Sequence, residues 1–584
     1  MKKIIALLLA AVLIVGGCAQ DGENSASNSK DAVSVQESQT SSIEGESSKA
    51  ASESDSLFNE PGELPIVNEA TTLSIFAPGN GEYSWVDNSQ TIELEEKTGI
   101  HLDWQIAASS DNVTDKISTM FASSTMTDII LVGVGSRYDK ASEAMFGSQG
   151  LIIPLEDYID TVSVGYKAAM EELEGMREYI TTPDGHIYSL PNVDGSLHMQ
   201  YMMKLWINTT WLDNLGLDLP TTTEEFYEVM KAFKEQDANG NGDPNDEIPL
   251  STVVSTVGGG AQIDGFLMAP FQLTPNGDKL YVDNGVVTYA PVQDGYREGL
   301  RWLHQMYSEG LINPESFTQD LTNQVNINES GEEARIGAFL GLRPGFACDL
   351  STEPNSKKWE QYQSLAPLTG PDGQCIAAWN PYEMYQTGMT FISSNCTNPE
   401  VAFRFIDYLA TEEGSMRSAN GVKDVHWREA EPDELDMDGK QAKYTLLDAD
   451  TTNQTWGQLC GLVRTPDFVT SVTTNQDPYA DDVKPLVGRQ IVMYRASKEH
   501  EKVRQPLESV MPTLYMSEED AAEMALIKTT LQSSQNTAMV EFITGARDLD
   551  SGWDAYKQDL ENLSLSRYLE LLQNAYDVSP FAQD

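Results

Sequence analysis

The sequence predicts an α/β protein, and three observations carry that expectation. Strand and helix patterns alternate from Thr71 onward, the strand in "TDIILVG" is apolar along most of its length, and the helices carry one apolar stripe each. A strand apolar on both faces belongs in a parallel sheet covered on both sides. Strand–helix alternation links such strands by right-handed crossovers. A chain of 584 residues exceeds one ordinary core, so roughly two to four domains are expected.

The elements follow in order. In "TTLSIFAP", Leu73, Ile75 and Ala77 mark the first strand. "NSQTIELEEKTGI" reads as a helix stopped by Gly99, and "HLDWQIA" as the next strand. "NVTDKISTMFAS" places Val113, Ile117, Met120 and Phe121 on one helical face. Farther on, "LPTTTEEFYEVMKAFKEQ" opens on a capping box of Thr222 and Glu225, with Phe226, Val229, Met230 and Phe233 as its apolar stripe. "IPLST" reads as a strand. "GYREGLRWLHQMYSEGLI" and "NPEVAFRFIDYLATEEG" are amphipathic helices, the second with Asn398 as N-cap, Pro399 at the first helical position and a glycine stop. The tail "GWDAYKQDLENLSLSRYLELLQNAYD" reads as two helices, and no internal repeat is present.

Charge narrows the partners. Lys and Arg number 37 against 90 Asp and Glu, a formal net charge of −53. Such a surface repels nucleic acid and anionic lipid headgroups and attracts cations.

The start of the chain reads as a secretion signal. "MKKIIALLLAAVLIVGGC" has two lysines and an apolar run from Ile4 to Val15. That run is shorter than the about 20 residues a membrane-spanning helix needs, so it is a signal-peptide core. Small residues before Cys18 resemble the bacterial lipobox, in which the cysteine is lipidated and becomes the new N-terminus. Residues 1–17 are then the signal peptide. Residues 18–67, rich in Ser, Glu and Asn with few large apolar residues, form a lipid anchor and a disordered tether. A flexible chain of this length spans roughly 35–40 Å. Cys348, Cys375, Cys396 and Cys460 form no CxxC pair; one or two disulfides stay open, and the sequence does not pair them.

The stretch "DANGNGDPNDEIPL" crowds short oxygen-bearing side chains around glycines. An EF-hand loop puts oxygen ligands at positions 1, 3 and 5, glycine at 6, a carbonyl at 7 and a bidentate carboxylate near 12. Counting from Asp237, Asn239 and Asn241 take the next ligand positions, Gly242 the turn and Asp243 the carbonyl. The end departs from the pattern: Ile248 stands where the last carboxylate belongs, and Asp246 and Glu247 are the candidates to close the sphere. All-oxygen ligands favour calcium or magnesium over zinc. The alternative is a solvated Asn/Gly turn with no ion.

These features together resemble one family. The lipobox and Ser-rich tether, the long stretch "LWINTTWLDNLGLDLPTTTEEFYEVMKAFKEQDANGNGDPNDEIPL", the segment "FISSNCTNPEVAFRFIDYLATEEG" and the Trp/Tyr-rich tail look like a family 1 extracellular solute-binding protein, the lipid-anchored receptor of a bacterial ABC importer. The resemblance covers the chain after the tether. It implies a type II periplasmic-binding-protein fold, with two discontinuous α/β lobes joined by hinge strands. Mapped here, the first lobe would hold residues 68–205 and 389–480, and the second 206–388 and 481–584. The chain would cross near Leu205–Asn208 and again near Gly388–Ser393. The acidic loop resembles the structural calcium site of some members. The resemblance further implies a carbohydrate ligand, often an oligosaccharide, permease subunits and an ATPase as partners, anchorage on the outer face of the cytoplasmic membrane, and a monomer.

Sugar C–H faces stack on aromatic rings, and sugar hydroxyls pair with planar polar groups. The candidates are Trp85, Trp379, Tyr382, Trp427 and Trp456, with Arg343 in "GLRPG" and Asp424 and His426 beside Trp427. Each aromatic could instead fill a core; Trp302 and His426 read as structural, and Trp206 and Trp211 as hinge packing. Paired carboxylates could act on glycosidic bonds, but no GxSxG, HExxH or phosphate-loop motif appears. A non-catalytic receptor is therefore expected. A receptor for peptides or other solutes, a surface adhesin or sensor, and a glycan-active enzyme are the alternatives.

Overall fold

The computed structural model describes residues 57–582, except 80–83, 110, 134–135, 255–259, 276, 351–356, 448–449, 458–460, 473–474, 481–482 and 484. The signal peptide, Cys18, most of the expected tether and Cys460 lie outside the described residues.

Along the chain the strands are β1 (Thr71–Ala77), β2 (Ile100–Ile106), β3 (Ile129–Leu131), β4 (Leu190–Asp194), β5 (Leu205–Asn208), β6 (Ile248–Ser251), β7 (Leu280–Asp283), β8 (Val286–Tyr289), β9 (Ile336–Leu340), β10 (Tyr362–Ser364), β11 (Tyr385–Ile392), β12 (Trp427–Glu429), β13 (Tyr444–Leu446) and β14 (Val463–Arg464). They form two main sheets. The first has the order β14-β4-β11-β3-β1-β2, and the second β10-β5-β9-β6. β7–β8 and β12–β13 are separate two-stranded ribbons. In the first sheet only β11 runs against its neighbours. This is the α/β class expected from the sequence.

Each sheet carries its own core. Helices Ser89–Thr98, Gly165–Glu172 and Pro399–Leu409 bury apolar residues against the first sheet. The second sheet buries Phe226, Val229, Met230 and Phe233 of helix Thr223–Glu235, as the stripe predicted. The capping box of Thr222 and Glu225 forms in both directions. Helices Glu518–Thr544, Leu549–Asn562 and Leu565–Asp577 pack Leu531, Phe542, Trp553 and Leu572 into that same core.

Three local expectations are corrected. The ordered body begins before Val67: Ile66 and Val67 are buried, Asn68 N–H donates to Leu57 O at 2.8 Å, and the Arg404 guanidinium lies 4.6 Å over Phe58. Leu57, Phe58, Ile66 and Val67 supply enough burial to order what otherwise looks like tether. The helix from Pro399 ends at Leu409, and Thr411 caps a second helix, Glu412–Asn420, that contains Gly414 instead of stopping there. Asn398 is the N-cap residue and Pro399 opens the helix as expected, though the Asn398 side chain makes no cap bond. The return crossing precedes Tyr385, because all eight residues of β11 are buried in the first sheet. Gly388 sits at φ +69°, and a Cβ there would fall 2.1 Å from Tyr138 O, so the bend inside β11 demands glycine.

Candidate functional site

The chain leaves the first sheet after Asp194, enters the second at Leu205, and returns to the first at Tyr385. The strand ends fix this geometry: β1, β3, β4 and β14 all finish on the side from which β5 departs. Three segments are bonded together at this junction. Asn380 N–H donates to Gln200 O at 3.0 Å, Ala377 N–H to Val503 O at 2.8 Å, and Gln505 N–H to Ala377 O at 2.9 Å.

Trp379 stands at the centre of this junction. Its indole N–H donates to Gln200 Oε1 at 3.0 Å, its backbone N–H donates to Gln505 Oε1 at 3.0 Å, and the Arg504 guanidinium lies 4.4 Å over its ring. The half-buried ring borders a cavity of about 450 Å³. That cavity takes Lys140 from the first lobe, Asp278 and Lys528 from the second, and Gln200, Asn380 and Glu383 from the junction. The volume lies within the range typical of small-molecule pockets.

The junction is tightly charged. Asp194 pairs with Arg464 at 2.7 Å. Burial alone would raise the Asp194 carboxyl, but the Arg464 guanidinium and Ser196 outweigh it and hold it below the usual carboxylate range. Burial pushes the Lys204 ammonium down to about 7. Burial and then Lys204 push His500 and His198 down to about 3, so both rings are neutral near pH 7. Lys140, stacked 3.5 Å over the Tyr179 ring, is lowered to about 7 by burial.

The other candidate aromatics lie elsewhere. Trp85 and Trp456 are both 1% exposed and form a ring cluster with Trp104 in the first core, with centroids 5.1–5.5 Å apart. They offer no face to a ligand here: the loops carrying them fold back, as when Trp456 Nε1–H donates to Thr91 Oγ1 at 2.9 Å. Tyr382 stacks on Tyr179 at 5.3 Å and meets Phe581 edge-on. Trp427 packs edge-on against Tyr444 in the β12–β13 ribbon, beside buried His426. Arg343 is exposed beyond the end of β9. Trp206 is buried in β5, Trp211 in the second core, and Trp302 packs against that core. Cys348, Cys375 and Cys396 carry free thiols.

The acidic loop joins helix Thr223–Glu235 to β6, with Gly242 at φ +92° making its turn. Gly242 N–H donates to Asp237 Oδ2 at 2.9 Å and Ala238 N–H to Glu247 Oε1 at 3.0 Å. The second oxygens, Asp237 Oδ1 and Glu247 Oε2, are buried and have no hydrogen-bond partner among the described residues. Burial raises the Glu247 carboxyl above its ordinary value. Asp246, by contrast, is taken up by the side-chain amides of Asn239 and Asn241 and by Arg335. Among the described residues no three His, Cys, Asp or Glu side chains converge as a metal cluster. A cation here would rest on two carboxylates plus amide and carbonyl oxygens, and the two buried carboxylate oxygens without donors fit one. The loop lies at the start of β6, the end away from the junction, where Gly260 approaches Met202.

Comparison with known proteins agrees with this architecture. The family model for bacterial extracellular solute-binding proteins matches residues 90–416. The fructooligosaccharide ABC transporter substrate-binding protein FusA of Streptococcus pneumoniae serotype 4 is 30% identical over 83% of this chain and 86% of its own. The solved structure of S. pneumoniae FusA with kestose is 26% identical, with a TM-score of 0.67, covering 87% of this chain and 99% of that one. An EF-hand mutant of FusA with fructo-nystose gives 25% identity and a TM-score of 0.66 over the same shares.

Proposed function

Because this chain belongs to the family of bacterial extracellular solute-binding proteins, we propose that it captures a neutral oligosaccharide between its lobes and delivers it to an ABC importer. The observation that carries this reading is Trp379, an aromatic ring set at the junction of the lobes and bordering a cavity lined from both. An aromatic platform ringed by Gln200, Asn380 and Glu383 is the chemistry that sugar C–H faces and hydroxyls require. The fructooligosaccharide named for the relative makes kestose the first ligand to try.

The mechanism is binding and closure, with no bond made or broken. A ligand touching both lobes favours the arrangement in which both sets of contacts exist together, and its differential affinity supplies the free energy of closure. The permease reads the closed form. Lipidation of Cys18 holds the receptor on the outer face of the membrane. Calcium, when bound in the acidic loop, supplies a structural cross-link: Asp237 and Glu247 would hold it, with the side-chain oxygens of Asn239 and Asn241 and the carbonyl of Asp243, while Asp246 orients the two amides. Calorimetric titration with kestose, other neutral oligosaccharides and peptides tests the reading. Binding confined to peptides would leave a solute receptor and remove the carbohydrate.

A further inference from the structure

A smaller cavity of about 200 Å³ adjoins the larger one; Met203, Pro275, Gly277 and Asp278 line both. Its remaining wall is polar. Asp264 is fully buried there, and its Oδ2 accepts from the Tyr296 hydroxyl at 2.6 Å and from the Lys279 ammonium. Lys279 also donates to Gln535 Oε1 at 2.8 Å, and Gln535 Nε2 donates to Tyr296 Oη at 2.9 Å, which closes the ring of contacts. This ring satisfies one oxygen of Asp264 and leaves the other. Asp264 Oδ1 and Gln262 Oε1 are both buried with no donor among the described residues, and both residues line the cavity.

A buried acceptor without a donor is destabilising, and native structures rarely keep one without a reason. Two such acceptors beside one small space call for a ligand that brings hydroxyl donors. Asp264 and Asp278 are already matched by the ammonium groups of Lys279 and Lys528, so the cavity leaves no lone charge to pair and suits a neutral group. An apolar group would leave both acceptors unmet.

We infer that the smaller cavity is the end subsite of the carbohydrate site. It seats the terminal residue of a neutral oligosaccharide whose preceding residues lie along Trp379, and Asp264 Oδ1 and Gln262 Oε1 accept from that residue's hydroxyls. This rests on the carbohydrate reading and adds where the chain end is held and by which residues. Asp264 and Gln262 then set specificity for chain length.

The test titrates sucrose, kestose and nystose (a di-, tri- and tetrasaccharide) into wild type, Gln262→Leu, Asp264→Asn and Trp379→Ala, with a melting curve for each. Gln262→Leu and Asp264→Asn should weaken kestose and nystose by about tenfold or more, the scale of a lost buried hydrogen bond, and sucrose by much less. If Asp264→Asn does not fold, Gln262→Leu decides alone. Unchanged kestose and nystose affinity in these variants, with Trp379→Ala weakened, overturns the subsite and leaves the carbohydrate reading standing. An equal loss for all three sugars overturns it too. A wild type that binds no oligosaccharide overturns the reading and the subsite together.

Discussion

The indole N–H of Trp379 donates to the side-chain oxygen of Gln200 at 3.0 Å, tying the return crossing to the outward one. Gln200 is 9% exposed, so its amide is fixed and fixes the ring in turn. With Arg504 over the ring, the indole is held in one place, as a platform for the proposed sugar requires.

Trp379→Ala should therefore weaken oligosaccharide binding by about 1–3 kcal/mol, the scale of a lost buried aromatic contact. Its melting temperature should stay within a few degrees of wild type, because the ring is half-buried and lies outside both main cores. Calorimetry beside thermal unfolding separates the two effects. A variant that binds as wild type does removes Trp379 from the site.

The acidic loop yields a sign that can be checked. Burial raises Glu247, so its proton is held more tightly in the folded chain than in the unfolded one. Its contribution is favourable below its unfolded value and is lost as pH rises through its folded value. At neutral pH without calcium, Glu247→Gln should melt at or above wild type. With calcium at ten to a hundred times Kd, wild type should gain about 1.4–2.7 kcal/mol and the variant little. For a lobe-sized unit that is a shift of about 2–4 °C per kcal/mol. Two melting curves that do not exchange order between chelator and calcium would count against the site.

Asp407 is the buried brace of the first lobe. Its carboxylate accepts from Ser163 Oγ at 2.5 Å, Val164 N–H at 2.6 Å, Gly165 N–H at 3.0 Å and Tyr166 N–H at 2.9 Å, capping helix Gly165–Glu172 from a neighbouring helix. Asp407→Ala leaves these donors unmet and should cost about 3 kcal/mol or more of stability. Denaturant unfolding checks it; a loss under 1 kcal/mol would mean water replaces the carboxylate.

Sequence pattern revealed much of the fold for plain reasons. The stripe from Phe226 to Phe233 and the Thr222–Glu225 box are local, and both are present in the structure. Helix Glu518–Thr544 carries no sustained stripe, since it packs against several partners at once, so periodicity did not announce it. Site residues were harder to find. A tryptophan in a loop between elements reads the same whether it faces a cavity, like Trp379, or a ring cluster, like Trp85. Asp264 gave no signal at all, because its proposed role depends on the contacts of Lys279, Tyr296 and Gln535, which only the fold brings together.

The proposed lipid anchor rests on Cys18. Cys18→Ser should release the chain to the medium or leave it unprocessed, because such an anchor needs the acyl chains the cysteine would carry. Membrane fractionation of cells expressing both forms reads this out, and an unchanged membrane fraction would contradict it.

The most direct test of the central claim is solution scattering of the purified chain with calorimetric titration, first with kestose and the oligosaccharide panel and then with peptides. The account predicts saturable binding of a neutral oligosaccharide and a smaller radius of gyration once the site is filled, with both shifted together to higher ligand concentration in Trp379→Ala. Compaction by peptides with no response to any oligosaccharide would contradict it.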